Sequence, residues 1–110
     1  MSKVGYKALV EAAEARIRTI SAEEALDKQG EDGVVFVDLR DVRELKREGG
    51  IPGAFHCPRG LLEFWIDPES PYHHAVFAEP KEFVFFCNLG WRSALAADIA
   101  QQMGLTTCHI

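Results

Sequence analysis

A cysteine and an arginine are separated by four residues in the string Cys87-Asn88-Leu89-Gly90-Trp91-Arg92-Ser93. Glu82-Phe83-Val84-Phe85-Phe86 before it reads as a buried strand, and Leu95, Ile99 and Met103 after it mark a helix that begins near Ser93. In open α/β sheets, ligands collect at the carboxyl ends of strands, where loops enter helix N-termini. Backbone N–H groups of Asn88 through Ser93 can curl around a single point there, and Gly90 permits the backbone conformation that a tight cradle requires. A helix N-terminus and a nest of N–H groups favour an anion. A thiol held at such a place ionises more readily than a free one, and the thiolate is the nucleophile. Arg92 adds a permanent positive charge beside it. The residues point to nucleophilic chemistry at Cys87, with the loop as its cradle.

The rest of the chain has to place that loop. Residues 1–18 read as an N-terminal helical extension, with Leu9, Ala12, Ala13 and Ile17 on one stripe; a docked helix and a mobile end are both open. Thr19-Ile20 is a very short strand. Ser21 and Glu24 make a capping box that opens a helix stopping near Gly30. Val34-Val35-Phe36-Val37 is an unbroken β-branched and aromatic run, as in a strand covered on both faces of a parallel sheet. Asp41 caps a short polar helix through Arg47, which Gly49-Gly50 ends. Ala54-Phe55-His56-Cys57 is a short strand stopped by Pro58. Leu61, Leu62, Phe64, Trp65 and Ile66 suggest a helix closed by Asp67-Pro68, and Thr106-Thr107-Cys108-His109-Ile110 a final strand. The alternation predicts one α/β domain over residues 19–110, with a mostly parallel five-stranded sheet flanked by helices on both faces. A sheet of this kind is usually covered by one more helix after its last strand, so a C-terminal helix is expected to be missing and the domain truncated at Ile110.

Composition narrows the class. The chain has 110 residues, 47% hydrophobic and 26% charged, which suits one ordinary globular domain. Seventeen acidic against twelve basic residues give a net charge of −5, without the basic footprint of a nucleic-acid binder. No apolar run approaches the roughly 20 residues of a membrane helix, and no signal-peptide pattern stands at the N-terminus. Three cysteines do not make a disulfide framework. The expectation is a cytoplasmic domain without nucleic-acid or membrane partners.

The Cys87–Ser93 string resembles the active-site loop of the rhodanese family of sulfurtransferases. Asp38-Leu39-Arg40 followed by Glu44 is similar to the family's Asp-x-Arg signature, and Gly50-Ile51-Pro52-Gly53-Ala54-Phe55-His56-Cys57-Pro58 to its Gly-x-Ile-x-Gly-Ala segment. The resemblance implies a rhodanese-like fold and a persulfide relay. Cys87 would take sulfane sulfur from thiosulfate or a persulfide donor and pass it to cyanide or a thiol, with no metal or organic cofactor. Its partners would be a small-molecule or protein sulfur donor and a thiophilic acceptor, and its assembly a monomer or weak homodimer. Related phosphatase and arsenate-reductase loops resemble Cys-x5-Arg, one residue longer, because a tetrahedral oxyanion needs a wider cradle than one sulfur atom. Phe86, not His, stands directly before Cys87. The alternatives are a non-catalytic interaction module and a thiol redox sensor pairing Cys87 with Cys57.

Other residues divide between structure and chemistry. Asp38 and Arg40 read as a structural pair, and Gly50 and Gly53 as turn residues. Cys57 and Cys108 read as buried, inert thiols. Arg59, at the carboxyl end of its strand, either binds an anionic donor beside the Cys87 loop or is solvated. Trp91 walls the pocket or packs on the domain. His73-His74 lacks a third metal ligand, and Phe64-Trp65 reads as core.

Overall fold

The computed structural model describes residues 3–110. Its strands are β1 (Val34–Asp38), β2 (Phe55–His56), β3 (Glu82–Phe86) and β4 (Thr106–His109). The helices are α1 (Tyr6–Arg16), α2 (Ala22–Lys28), α3 (Val42–Glu48), α4 (Leu62–Ile66) and α5 (Trp91–Gln102). The strands form one parallel sheet in the order β2-β1-β3-β4, so the two apolar runs of the sequence lie side by side at its centre.

The sheet has four strands, not the expected five. Thr19-Ile20 contributes only an isolated parallel bridge from Thr19 to His109. The reason is space along the chain. α1 ends at Arg16 and the Ser21 cap already opens α2, which leaves too few extended residues for a ladder. The capping boxes at Ser21–Glu24 and Asp41–Glu44 both form.

Because side chains alternate across a strand, the two central strands feed two cores. Val37, Phe83 and Phe85 pack with Leu62 and Ile66 of α4, Phe77, and Ala96, Ala97 and Ala100 of α5. Phe36, Val84, Phe86 and Cys108 pack on the opposite face with Ile20 and with Ala25 of α2. α1 docks on the outside of α5, where Val10 and Ala13 meet Ala94 and Arg16 binds both carboxylate oxygens of Asp98. Of the helical extension assigned to residues 1–18, Met1 and Ser2 lie outside the described residues.

Two helical stripes differ from expectation. In α1 the buried residues are Val10 and Ala13, while Leu9 is 49% exposed. In α5 they are Ser93, Ala94, Ala96, Ala97, Asp98 and Ala100, while Met103 caps the exposed end. α5 lies between the sheet and α1, so it is covered on two sides, and small residues allow both neighbours to approach closely. Phe64 is exposed rather than core, whereas Trp65 packs edge-on against Phe55 and stacks on His74. No helix among the described residues is long and apolar enough to cross a membrane.

Candidate active site

Cys87 follows β3 directly, at the sheet's carboxyl edge, and its side chain is half-buried. The loop reverses into α5 through Gly90, whose φ of 82° and ψ of −2° are left-handed. A side chain at that position would be strained, which is the reason for glycine there. α5 starts at Trp91, two residues before the expected Ser93. The amides of Trp91, Arg92 and Ser93 therefore belong to a first turn, where N–H groups have no intrahelical acceptor. They open a helix of twelve residues, with the positive end of its dipole at the loop. Leu89 is 72% exposed, and Trp91 lies against Tyr6 of α1 with ring centroids 4.9 Å apart. A cleft of about 200 Å³ opens beside Trp91, lined by Tyr6, Val10, Glu11 and Glu14 of α1.

The positive charge of the loop is partnered. Glu44 accepts from Arg92 Nη1 at 2.7 Å and from Nη2 at 2.9 Å. The same carboxylate accepts from Asn88 Nδ2 at 2.8 Å, and Glu48 receives a weaker bond from that amide at 3.2 Å. Glu44 reaches this position because the capping box fixes it: Asp41 N donates to Glu44 Oε1 at 3.1 Å. The hydrogen bond from Arg92 holds the Glu44 carboxyl well below its ordinary 4.5, at about 2, and Glu44 in turn raises Arg92. Cys87 also favours the charged guanidinium, more weakly than Glu44 does. In the sequence, Glu44 belongs to the signature that follows Asp38-Leu39-Arg40, but nothing there assigns it the loop as a partner.

A second group of residues is brought to the thiol from outside the loop. Cys87 Sγ is 3.6 Å from Ser93 Oγ, which lies 2.9 Å from His109 Nδ1, and His109 Nε2 is 3.0 Å from Thr19 Oγ1. Ser93 and His109 are buried. Spacing along the chain carries no signal for this group, since Thr19, Ser93 and His109 meet only through the sheet.

The remaining candidates have structural partners. Arg59 Nη1 donates to Glu63 Oε1 at 2.9 Å, one helical turn ahead. Asp38 accepts from Arg40 N at 3.1 Å, Nε at 3.0 Å and Nη2 at 2.8 Å, and Arg40 also donates to Gly49 O at 2.8 Å. That buried pair pins the end of β1 to the turn after α3. Gly53 has the left-handed φ expected of a turn, at 80°. Gly50 does not; a Cβ there would meet Leu45 Cδ2 at 3.0 Å, so a side chain at that position requires Leu45 to shift. Cys57 and Cys108 are fully buried, and burial pushes their thiols up to about 12 and about 11. His73 Nδ1 bonds Trp65 O at 3.0 Å. Among the described residues, no three His, Cys, Asp or Glu side chains converge as metal ligands would.

Comparisons with known proteins fit this geometry. The model of the Rhodanese-like domain matches residues 21–110. Human thiosulfate:glutathione sulfurtransferase is 33% identical over 75 residues, which is 63% of this chain and 64% of that protein's length. A Rhodopseudomonas palustris protein of unknown function, described as a possible tyrosine phosphatase, has a structure 51% identical with a TM-score of 0.94, covering 100% of this chain and 86% of that one. The polysulfide-sulfur transferase homodimer of Wolinella succinogenes is 30% identical with a TM-score of 0.66, covering 94% of this chain and 74% of that one. With the Cys87 loop at the carboxyl edge of a parallel sheet and a family match over residues 21–110, this chain belongs to the rhodanese-like domain family.

Proposed function

We propose that the chain is a cytoplasmic sulfurtransferase that carries sulfane sulfur on Cys87. The observation that carries this reading is the loop itself: four residues between Cys87 and Arg92, with Gly90 left-handed and the first turn of α5 supplying amides. The Cys87 thiolate attacks the outer sulfur of thiosulfate; a carbon-bound sulfur–sulfur bond forms as the donor's own sulfur–sulfur bond breaks, and sulfite leaves with the electron pair. Cyanide or a thiolate acceptor then attacks the outer sulfur of the persulfide, and Cys87 leaves as thiolate. One difficult transfer is divided into two displacements, and oriented N–H donors meet the negative charge on sulfur in each. Asn88, Leu89, Gly90, Trp91, Arg92 and Ser93 form the donor-binding cradle. Neither step needs a metal or an organic cofactor.

The phosphatase description of the Rhodopseudomonas palustris relative supports a second reading, hydrolysis of an aryl phosphate. The short loop argues against it, because a phosphoryl group needs a wider cradle. A redox sensor pairing Cys87 with Cys57 is disfavoured by the complete burial of Cys57 in the α4–α5 core. A thiosulfate:cyanide assay beside an aryl-phosphate assay separates these readings. Wild type should transfer sulfur and Cys87→Ser should not, and thiosulfate should add about 32 Da, one sulfur atom, to the Cys87 peptide. Sulfur transfer retained by Cys87→Ser, or phosphate release without sulfur transfer, overturns the proposal.

A further inference from the structure

We propose that His109 is a positioning residue for Cys87, acting through Ser93, and that its ring tautomer follows the ionisation of the thiol. The proposal deepens the sulfur-transfer reading, with Cys87 as nucleophile, and rests on it. Cys87 Sγ, Ser93 Oγ, the two ring nitrogens of His109 and Thr19 Oγ1 form one unbroken chain, with links of 3.6, 2.9 and 3.0 Å. The chain is anchored at its far end by backbone: His109 N donates to Arg18 O at 3.0 Å, and His109 O accepts from Ile20 N at 2.9 Å. The residual fifth strand, reduced to the bridge from Thr19 to His109, thus has a place in the site.

A hydroxyl carries one proton and a neutral imidazole one N–H, so the chain has two complete arrangements. With Cys87 as thiol, S–H donates to Ser93 Oγ, Ser93 O–H to His109 Nδ1, and His109 Nε2–H to Thr19 Oγ1. With Cys87 as thiolate, every direction reverses: Thr19 O–H donates to Nε2, Nδ1–H to Ser93 Oγ, and Ser93 O–H to sulfur. Between the two, the thiol proton passes to Ser93, the Ser93 proton to Nδ1, the Nε2 proton to Thr19, and the Thr19 proton to water. One proton leaves and one negative charge remains on sulfur. Thr19 is exposed, so the proton can leave there.

Both arrangements require a neutral ring. Burial lowers the His109 pKa below its ordinary value, against a weaker opposing pull from Glu14. Without His109, Ser93 would be free to turn its hydroxyl to the carbonyl of Gly90, three residues earlier at the start of the helix, a common habit of serine in helices. Nδ1–H occupies a lone pair of Ser93 Oγ and leaves the hydroxyl proton for sulfur. The same bond meets Cys87 again when it is released as thiolate by the acceptor.

Alkylation of Cys87 by iodoacetamide at neutral pH, followed by peptide mapping, tests the proposal without any sulfur donor. His109→Leu and Ser93→Ala should slow it about tenfold, the loss expected for one hydrogen bond to a charged group. His109→Asn, whose side-chain N–H can donate from near the place of Nδ1, should stay within about threefold of wild type. Wild-type rates in His109→Leu, or His109→Asn as slow as His109→Leu, overturn the proposal. If His109→Leu does not fold, nitrogen NMR of the His109 ring in the wild type decides. The ring should carry its proton on Nε2 while Cys87 is a thiol and on Nδ1 once thiolate absorbance appears; a tautomer unchanged through that ionisation overturns the proposal. A Cys87 that accepts no sulfur from thiosulfate overturns the sulfur-transfer reading instead, and leaves these outcomes standing.

Discussion

Glu44 holds both terminal nitrogens of Arg92, at 2.7 and 2.9 Å, and binds Asn88 of the same loop at 2.8 Å. One carboxylate on α3 thereby fixes the loop near both of its ends. It also offsets part of the Arg92 charge beside the loop.

The pH dependence of stability follows from this pair. The Glu44 carboxyl sits at about 2 in the fold against an ordinary 4.5, with the Arg92 hydrogen bond as the main cause. Since the folded value lies below the unfolded one, the stabilisation is complete above about 4.5 and is lost as pH falls toward 2. Glu44→Gln should cost about 1–2 kcal/mol at neutral pH, allowing for the solvent around the partly exposed Arg92. Urea unfolding at about pH 7 and about pH 3 checks this. The gap between wild type and variant should shrink by half or more at the lower pH, and an equal gap would rule the pair out as its source.

Thiol reactivity should be confined to one site. Burial raises Cys57 to about 12 and Cys108 to about 11, so neither forms thiolate near neutral pH. Native protein treated with iodoacetamide should be labelled on Cys87 alone, and unfolded protein on all three cysteines. Peptide mapping reads the result. Native labelling of Cys57 would restore it as a partner for Cys87.

The two arginines of the expected donor site should behave differently. Arg92→Ala should raise the KM for thiosulfate several-fold and flatten its salt dependence, because it removes a positive charge from the Cys87 loop itself. Arg59 lies outside that loop, on the turn before α4, where it is paired with Glu63, so Arg59→Ala should change that KM by less than about twofold. Steady-state kinetics at low ionic strength distinguish them, and equal effects would place Arg59 at the donor.

Loop length should select the substrate. Inserting one residue between Leu89 and Gly90 should reduce sulfur transfer by about tenfold or more, because widening the cradle pulls amides off a single sulfur atom. Any gain should fall on aryl phosphates. Parallel assays of both activities check it, and unchanged sulfur transfer would mean that loop size is not the selector.

Local rules reached far in this chain. The capping boxes at Ser21 and Asp41, the two central strands and the Cys87 loop were all legible, because each depends on residues within a few positions of one another. Helix stripes were harder to read. Leu9 and Met103 have the right spacing, yet α1 and α5 bury small residues where they meet, and that contact is set by how a third layer packs on the sheet.

What Cys87 and Gly90 are for could be argued from the sequence, since strand, loop and helix are contiguous there. Only the tertiary structure decided that Glu44 grips Arg92 and that Thr19, Ser93 and His109 line up on the thiol. Thr19 and His109 are 90 residues apart, and only the parallel pairing of the two chain ends against the sheet makes them neighbours. Hydrogen bonds act over about 3 Å, and sequence spacing has no bearing on which distant groups a sheet brings that close.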